Sequence, residues 1–436
     1  MHYFSTLTLG CKVNQYETEA MIELFEDRGY THITDDDFAS DVYLINTCTV
    51  TNLSDRKSRQ FIRAAKRKNP EAIVAVVGCY SQVSPEEVAE IEGVDIIVGT
   101  TERAKIVELC EEFSENRTQI NIVRDIKGDR DFQPLDITNL EGMTRAYIKI
   151  QDGCNQYCSY CIIPYARGNV RSRLREDIIE EVTRLVEVGF KEVVLTGIHV
   201  ASYGKDLDDY KLIDVIEDIA KIKNIERIRL SSFEPNLITE DFVSRMKGTG
   251  KVCDHFHLSL QSGSDRVLKL MNRKYDTEIY KSKIEILRKY FPQAGITTDI
   301  IVGFPSETDE DFEDTLKYVR DIEFSKVHVF KYSMRKNTPA AKMKEQIHGT
   351  VKNERSKELI ELAGEKQFEF NEKMVGRILS VLVEEKVDEM YQGHSTNYVL
   401  TKLISETDIV NHIVNIEIVE AFSDYVVGKI VEEDLK

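Results

Sequence analysis

The chain has 436 residues, a formal net charge of −18 at pH 7, 42% hydrophobic residues and 31% charged residues. This length predicts two or three domains of ordinary soluble composition, and the acidic balance argues against a surface that attracts nucleic acid everywhere, although local basic patches remain possible. No apolar run reaches roughly 18 residues, and the N-terminus MHYFSTLTLG lacks a basic region before a long apolar core, so we expect a cytoplasmic protein without a membrane span.

Residues 1–125 alternate short apolar runs with stretches of helical character. The runs are YFSTLTLG, DVYLINT, AIVAVVG and DIIVGT. Such alternation predicts repeated strand-helix-strand units that form a parallel sheet. A charged and polar stretch follows, and we expect residues 126–144 to link this domain to the next.

Three cysteines of this first domain, Cys11, Cys48 and Cys79, each lie just beyond an apolar strand. Their spacing is close to the roughly 30 residues or more of one strand-helix-strand unit. Parallel strands end at one edge of a sheet, so the three thiols should converge there. Three thiolates hold three irons of a four-iron, four-sulfur cluster and leave the fourth iron open. The alternative is three independent buried thiols.

Residues 145–370 contain six further apolar runs separated by helix-like segments. They are AYIKI, EVVLTG, RIRLSS, FHLSLQSG, TDIIVGFP and VHVFKYS, and they predict a partial barrel of six β/α units. Residues 371–436 contain RILSVLVEE, NYVLTKL, HIVNIEIVEA and YVVGKIVE, which predict a small antiparallel β domain. The predicted fold class is therefore α/β, with a parallel N-terminal domain, a central (β/α)6 partial barrel and a C-terminal β-barrel.

The loop QDGCNQYCSYCIIP follows the first strand of the predicted barrel and contains Cys154, Cys158 and Cys161 in the spacing C-x3-C-x2-C. One loop of this kind can wrap three corners of an iron-sulfur cube, again with an open iron at which a ligand binds. The alternatives are a zinc site or unligated thiols. Zinc usually takes paired C-x2-C hooks and a fourth ligand, and none follows nearby. Cys110 and Cys253 have no such companions and are predicted to be structural thiols.

This loop, with Tyr160 between its second and third cysteines, resembles the radical S-adenosylmethionine superfamily. The resemblance implies that the open iron is chelated by S-adenosylmethionine, which is cleaved to methionine and a 5′-deoxyadenosyl radical. The acid usual after the second strand is missing from LTGIHV. Barrel sites form at the C-terminal ends of the strands, so residues there are candidates for binding the cofactor, together with Tyr160. Alternatively, these strand-end residues form ordinary turns. The strand-end candidates are Thr196, Gly197, Ser231, Ser232, Gln261, Ser262 and Gly303.

Over essentially its whole length the sequence resembles the methylthiotransferases, through TLGCKVNQYE, INTCTV, VGCY and the C-x3-C-x2-C loop. The C-terminal part is similar to the TRAM module, an OB-like barrel. The resemblance implies a C–H to C–SCH3 conversion with two [4Fe-4S] clusters, and S-adenosylmethionine as both methyl donor and radical source. All six cysteines then act as metal ligands in catalysis. An electron donor such as flavodoxin or ferredoxin is also implied, whereas the sulfur donor is not identified.

Within the family, KVNQYETEA, LTGIHVASYG, MNRKY and HSTNYVL most resemble the branch that acts on N6-threonylcarbamoyladenosine at position 37 of tRNAs reading codons that start with A. Three alternatives stay open. A sister branch modifies isopentenyladenosine in tRNA, and another modifies an aspartate of a ribosomal protein. A non-catalytic iron-sulfur electron carrier is the alternative from a different functional class.

Two basic segments are candidates for contact with the tRNA anticodon loop, DRKSRQFIRAAKRK beyond Cys48 and ARGNVRSRLRE beyond the C-x3-C-x2-C loop. Either is alternatively a solvated helix face. Residues 371–436 hold 6 Lys and Arg against 13 Asp and Glu, which favours a basic protein partner for that module. Its neutral residues Tyr391, His394, Asn397 and Tyr398 are alternative contacts to an unpaired loop. The predicted RNA-binding residues are Arg56, Lys57, Arg59, Arg63, Arg167, Arg171 and Arg173.

Overall fold

The computed structural model of the chain describes residues 2–35, 39–135, 137 and 144–431. Residues 136 and 138–143 of the predicted linker lie outside this described part, as do residues 432–436 of the predicted C-terminal domain and residues 1 and 36–38 of the N-terminal one. Within the described residues, none of the helices combines the length and the apolar character needed to cross a membrane.

The N-terminal part is a parallel sheet of six described strands in the order β2-β1-β3-β4-β5-β6. β3 and β4 are buried along their whole length, which explains their unbroken apolar sequences. The predicted sheet is present, and the short strands β2 and β6 add to it at its two edges. The strands are β1 (His2–Thr8), β2 (Tyr30–His32), β3 (Val42–Thr47), β4 (Ile73–Gly78), β5 (Ile96–Ile97) and β6 (Ile120–Asn121).

Helices connect these strands and cover both faces of the sheet. Thr51 caps the second helix by accepting a hydrogen bond from the Ser54 amide at 3.2 Å, and three basic residues complete its last turn, where they complement the helix dipole. The helices are α1 (Lys12–Asp27), α2 (Asn52–Lys68), α3 (Cys79–Val83), α4 (Pro85–Ala89) and α5 (Ile106–Asn116).

The central part follows the predicted partial barrel, in which six parallel strands are arranged as two sheets. One sheet has the order β10-β9-β7-β8 and the other β11-β12-β13, and parallel bridges from Ile228 to Val252 and from Phe233 to Leu258 join them. The short β8 pairs antiparallel to β7 at the edge. The strands are β7 (Arg145–Asp152), β8 (Arg171–Ser172), β9 (Glu192–Gly197), β10 (Arg227–Leu230), β11 (His255–His257), β12 (Gly295–Val302) and β13 (Lys326–Lys331).

The barrel helices pack on the outside of these strands and bury one large apolar core. Along β12 the alternation is clear, because Ile296, Ile300 and Val302 belong to that core while Asp299 faces the interior. Strand residues of the opposite parity therefore line the inside of the barrel. The helices are α6 (Ile163–Arg167), α7 (Arg175–Glu187), α8 (Leu212–Lys221), α9 (Glu240–Gly248), α10 (Asp265–Leu270), α11 (Thr277–Tyr290), α12 (Asp309–Ile322) and α13 (Gly349–Glu372).

The C-terminal part is a closed barrel in the order β14-β15-β16-β18-β17. The prediction of a wholly antiparallel domain needs correction, because β16 and β18 pair in parallel. The sequence analysis also missed β15, which buries Tyr391, Gly393 and Ser395 and so lacks an alternating hydrophobic pattern. The strands are β14 (Ile378–Val387), β15 (Met390–Ser395), β16 (Leu400–Leu403), β17 (Ile413–Ala421) and β18 (Val426–Ile430).

This C-terminal barrel docks against the first residues of the central strands. The Tyr398 ring stacks on His255 and on His394, with 4.4 Å between ring centroids in each case, and the Arg229 guanidinium lies 4.8 Å from its centroid. Arg145, at the start of β7, forms an ion pair of 2.8 Å with Glu384. His394 and Tyr398 are thus engaged in packing between domains, which does not support their alternative role as RNA contacts.

The described part of the predicted linker is packed rather than free. Ile126 and Ile137 are buried, and the Leu135 carbonyl accepts a hydrogen bond of 2.6 Å from the Tyr16 hydroxyl of α1. Leu135 and Ile137 belong to the core of the central barrel. The crossing between the two domains is therefore part of their interface.

Candidate functional site

Cys11, Cys48 and Cys79, called here the sheet-edge thiols, follow β1, β3 and β4 at one edge of the N-terminal sheet. Gly10 allows them to approach, because it has a φ of +114° and a Cβ there would lie 2.8 Å from the Cβ of Cys48. The pKa of the Cys79 thiol is raised to about 12, mainly by burial and partly by the nearby Cys48 and Cys11, against the opposing charge of Arg167. The structure thus brings the three predicted thiols together.

Cys154, Cys158 and Cys161, called here the loop thiols, lie between β7 and α6. The Cys154 amide donates to the Gly168 carbonyl at 3.0 Å, and the Cys161 amide donates to the Cys158 carbonyl at 3.0 Å, so the loop is folded back on itself. Burial raises the pKa of Cys161 to about 12 and that of Cys154 to about 11, and the neighbouring Cys158 contributes to both. All three are free thiols, as are the sheet-edge thiols.

An arginine donates a hydrogen bond to one sulfur in each thiol group, and it is buried in the case of Arg167 and partly buried in the case of Arg273. The Arg167 Nε donates to Cys79 Sγ at 3.3 Å, and the Arg273 Nη1 donates to Cys158 Sγ at 3.2 Å. A guanidinium next to a thiol favours the thiolate, which is the form that binds metal. Both thiol groups therefore fit an iron-sulfur cluster in their donor set, each with three sulfurs and a cation that stabilises their negative charge.

A network of buried charges joins the two thiol groups through α1. Glu17, which is wholly buried, accepts hydrogen bonds from Arg167 at 2.5 Å, Lys149 at 2.6 Å and Arg103 at 2.6 Å. Burial alone would raise the pKa of this carboxyl, but the three cations outweigh it and hold the pKa at about 2. Asn14, one turn earlier, accepts from Arg167 Nη2 at 2.7 Å. Arg167, the last residue of α6, thus connects the segment that follows the loop thiols to α1 and to Cys79.

The prediction that Arg167, Arg171 and Arg173 bind RNA is wrong. Their exposed fractions are 0%, 3% and 1%, so phosphates cannot reach them. Each has an internal role instead, because Arg167 and Arg171 lie near Asp152 and Arg173 pairs with Glu181. The clustered arginines predicted an exposed RNA-binding surface, whereas in the fold they are buried and neutralise buried acids.

A cavity of about 200 Å³ reaches from the sheet-edge side to the loop thiols. Val50 and Thr51, just after Cys48, line it together with Cys161, and the Val50 amide donates to Cys48 Sγ at 3.5 Å. Among its other walls are two predicted cofactor-binding residues and three side chains from the last two barrel strands, namely Tyr160, Gln261, Asp299, Ile301 and Phe330. The cavity, called here the shared cavity, is therefore bounded by one loop thiol and by the segment that follows one sheet-edge thiol.

The remaining cofactor-binding candidates fall into two sets. Thr196 and Gly197 end β9 beside Gln151, and Ser231, just beyond β10, has a buried hydroxyl that finds no hydrogen-bond partner within the described part of the chain. Ser232 is exposed at the same strand end.

Ser262 and Gly303 have local roles instead. The Ser262 hydroxyl accepts from the Ser264 amide at 3.2 Å, while Gly303 occupies a left-handed turn and donates its amide to Glu307 at 2.8 Å. Neither of these two residues lines the cavity.

Glu234 is a buried acid that sequence analysis missed. Its Oε2 accepts from Gln156 at 2.9 Å and lies 3.4 Å from His199 Nε2. Burial acts to raise the pKa of Glu234, but His199 and Arg273 outweigh it and the pKa falls below its ordinary value. His199 belongs to LTGIHV, so Glu234 places a carboxylate beside that motif from the end of the next strand. No periodicity or spacing in the sequence marks this pairing.

Histidines and one acid gather on the inner face of the last three barrel strands. His257 Nε2 lies 3.2 Å from Asp299 Oδ2, and a ligand atom of His328 is within 4.8 Å of both groups. Thr297 orients His257, since its Oγ1 is 3.0 Å from His257 Nδ1. Asp299 also lines the shared cavity, so these groups extend it into the barrel interior.

Helix α2, which follows the cavity wall in the chain, carries exposed cations. Arg56, Lys57 and Arg63 are exposed and make no ion pair within the described ranges. Arg59 is partly buried instead and donates to the Tyr80 hydroxyl at 2.9 Å. Because α2 begins directly after Thr51 of the cavity wall, this cationic face adjoins the cavity.

The chain matches two known families, the Radical SAM superfamily over residues 148–319 and the family described as "Uncharacterized protein family UPF0004" over residues 3–99. It is 42% identical to the "Threonylcarbamoyladenosine tRNA methylthiotransferase MtaB" of Bacillus subtilis, over 98% of this chain and 97% of the relative. It is 43% identical to the protein of the same name from Aquifex aeolicus, over 87% and 92%. It is 36% identical to the "tRNA-2-methylthio-N(6)-dimethylallyladenosine synthase" of Acetivibrio thermocellus, over 94% and 87%.

Among solved structures, the chain resembles the radical S-adenosylmethionine methyltransferase TsrM from Kitasatospora setae. The TM-score is 0.58 with 16% sequence identity, and the match covers 78% of this chain and 73% of that one. At this identity the likeness concerns the fold alone, and it agrees with the predicted α/β architecture.

We expect Glu17→Gln to lower the free energy of unfolding by about 3 kcal/mol at pH 7, because it leaves three buried cations without their carboxylate. The pKa is depressed on folding, so this stabilisation is complete above the ordinary value of 4.5 and is lost as the pH falls towards 2. Urea unfolding of the metal-free protein between pH 7 and pH 3 measures both effects.

Glu19→Gln is the matched control on the same helix. Burial and the nearby Glu23 and Glu26 raise the pKa of Glu19, so the loss of its charge should leave stability unchanged or increase it. Equal destabilisation by both substitutions at pH 7 would contradict the special role of Glu17.

Proposed function

The chain belongs to the radical S-adenosylmethionine methylthiotransferases, and on that premise we propose that it converts N6-threonylcarbamoyladenosine at position 37 of tRNAs to its 2-methylthio derivative. The substrate tRNAs are those that read codons starting with A. The observation that carries the proposal is a cavity lined by Cys161 of the loop thiols and by Val50 and Thr51, which follow Cys48 of the sheet-edge thiols. A reaction that joins sulfur to a carbon needs the sulfur source and the radical source to face one substrate atom.

Membership of the radical S-adenosylmethionine superfamily implies one [4Fe-4S] cluster and S-adenosylmethionine. We assign that cluster to Cys154, Cys158 and Cys161, and a second cluster to Cys11, Cys48 and Cys79. When bound, these groups supply the radical that removes hydrogen from an aromatic C–H and the sulfur that replaces it, chemistry beyond the reach of side-chain acids and bases. The chain's own residues bind the reactants, orient them and exclude water.

Residues near the loop thiols would orient S-adenosylmethionine. The Glu234 carboxylate, held by Gln156 and His199, suits the amino group of the cofactor, and the unpartnered hydroxyl of Ser231 lies at the end of the preceding strand. Tyr160 and Gln261 line the cavity beside Cys161. The Arg273 guanidinium donates a hydrogen bond to Cys158 Sγ and would stabilise the negative charge of that thiolate.

The substrate base would enter the cavity past Phe330, whose side chain is half exposed at the wall. An unpaired base of an anticodon loop can stack on such an aromatic ring, and the cations of α2 can bind the phosphates that flank it. These contacts support a tRNA substrate in a chain of net negative charge. We propose that the protein works in the cytoplasm, with an electron donor such as flavodoxin or ferredoxin.

Mass spectrometry of tRNA nucleosides tests the function directly. Cells that lack the gene should contain N6-threonylcarbamoyladenosine without its 2-methylthio form, and restoration of the gene should return the modified nucleoside. A return of 2-methylthio-dimethylallyladenosine instead would assign the enzyme to the sister reaction. If no methylthioadenosine changes, the tRNA function is wrong, and the aspartate of the ribosomal protein becomes the substrate to examine.

Cysteine variants test the division of roles between the thiol groups. Cys154→Ala should abolish cleavage of S-adenosylmethionine, because it removes a ligand of the radical cluster. Cys48→Ala should spare this cleavage but abolish sulfur insertion. Chromatography of 5′-deoxyadenosine and of the modified nucleoside measures both steps. Loss of cleavage to the same extent in the two variants would refute the assignment.

The cationic face of α2 is tested by the triple variant Arg56→Glu, Lys57→Glu and Arg63→Glu. We expect tRNA affinity to fall at least tenfold and the slope of log affinity against log salt to decrease by about 2, because two or three phosphate contacts are lost. The control variant carries Lys281→Glu, Lys317→Glu and Lys357→Glu, which change the net charge equally on helices of the barrel exterior. Equal losses in both variants would mean that only net charge matters.

A further inference from the structure

Lys12 is a lysine of α1 whose ammonium lies in the barrel interior. It lies 5.3 Å from the ring centroid of Tyr147 on β7, and it is close enough to interact electrostatically with His255 on β11. Since β7 and β11 are not neighbours in the sheets, a group close to both must lie between them. Lys12 therefore extends from the edge that holds Cys11 into the space inside the barrel.

The ammonium of Lys12 forms no ion pair, although acids are present nearby. Within the described residues no carboxylate oxygen lies within 4.0 Å of it. Glu192, a barrel acid that interacts electrostatically with Lys12, already binds Arg229 at 2.6 Å, and Glu384 already binds Arg145 at 2.8 Å. The ammonium of Lys12 therefore has no carboxylate partner, because the neighbouring acids are paired with arginines.

A side chain that interacts with Lys12 also lies beside Asp299, which lines the shared cavity. Asp299 lines that cavity, faces His257 at 3.2 Å and lies beside His328, and His328 in turn interacts electrostatically with Lys12. We call this set, together with Tyr147 and His255, the lumen pocket. Its one carboxylate is opposed by His257, so the pocket offers an anionic group a free cation and several hydrogen-bonding side chains.

We propose that the lumen pocket binds the threonyl group of the substrate and that the Lys12 ammonium forms an ion pair with its carboxylate. This inference rests on the proposed function and deepens it. The threonylcarbamoyl group attached to N6 ends in a carboxylate and a hydroxyl, whereas a dimethylallyl group at the same position is an uncharged hydrocarbon. A partly buried cation without an ion-pair partner favours the first group and penalises the second, because covering it with hydrocarbon would desolvate its charge without compensation.

A chemical cycle tests this pairing directly. Three anticodon stem-loops are compared, with threonylcarbamoyladenosine, its carboxylate methyl ester or dimethylallyladenosine at position 37. Each is titrated against the cluster-loaded wild type and against Lys12→Met, which keeps most of the side-chain volume without the charge. We expect Lys12→Met to weaken binding of the acid about tenfold and to leave binding of the methyl ester within twofold.

Two further variants separate charge from structure. Lys12→Arg keeps the charge and should recover part of the preference for the acid, and Lys289→Met removes an exposed lysine of α11 and should leave binding of all three stem-loops unchanged. Iron content should equal that of the wild type in all three variants, which checks that the clusters are intact.

The outcomes distinguish this inference from the proposed function. If the wild type modifies threonylcarbamoyladenosine but Lys12→Met weakens binding of the acid and of the ester equally, the ion pair is absent and the inference is overturned. If the wild type does not modify threonylcarbamoyladenosine at all, the proposed function itself fails. If Lys12→Met raises the affinity for dimethylallyladenosine relative to that for threonylcarbamoyladenosine, Lys12 is supported as a determinant of specificity.

Discussion

The arrangement of the two thiol groups depends on the buried carboxylate of Glu17. A carboxylate without exposure is costly unless cations surround it, and Arg103, Lys149 and Arg167 do so from three different segments. The dependence is mutual, since Arg167 without Glu17 would also be a buried unpaired charge. Domains that meet through such a network have one low-energy relative placement. That placement sets the position of Cys79 relative to the loop of Cys154.

The two guanidinium contacts extend this principle to the sulfurs. Burial makes thiolates unfavourable, as the raised pKa values of Cys79 and Cys161 indicate, yet metal binding needs them. Arg167 and Arg273 lower that cost at one sulfur in each group. Arg167 binds Glu17 across the domain interface and also donates to Cys79 Sγ. One side chain therefore links the relative position of the domains to the electrostatics of the sheet-edge thiols.

The sequence predicted those features that depend on periodicity and local spacing. The parallel sheet, the six-strand barrel and the convergence of Cys11, Cys48 and Cys79 follow from where apolar runs end, and the structure has this arrangement. It did not predict which charges are buried. Arg167 and Arg56 belong to similar basic segments, but the first is enclosed and the second is exposed, and only tertiary packing decides between them. The pairing of Glu234 with His199 was likewise invisible, because it joins two strand ends distant in sequence.

The acidity of the C-terminal barrel takes on a different meaning once its position is known. The module attaches at Arg145 and Arg227, the first residues of their strands, whereas the loop thiols follow the last residue of β7. Its docking surface meets arginines, for which Glu384 is a suitable partner. Negative charge at that end does not oppose RNA at the cavity, where α2 presents cations. The chain thus separates its charges by location, and its net charge of −18 says little about the potential that a tRNA meets at the cavity entrance.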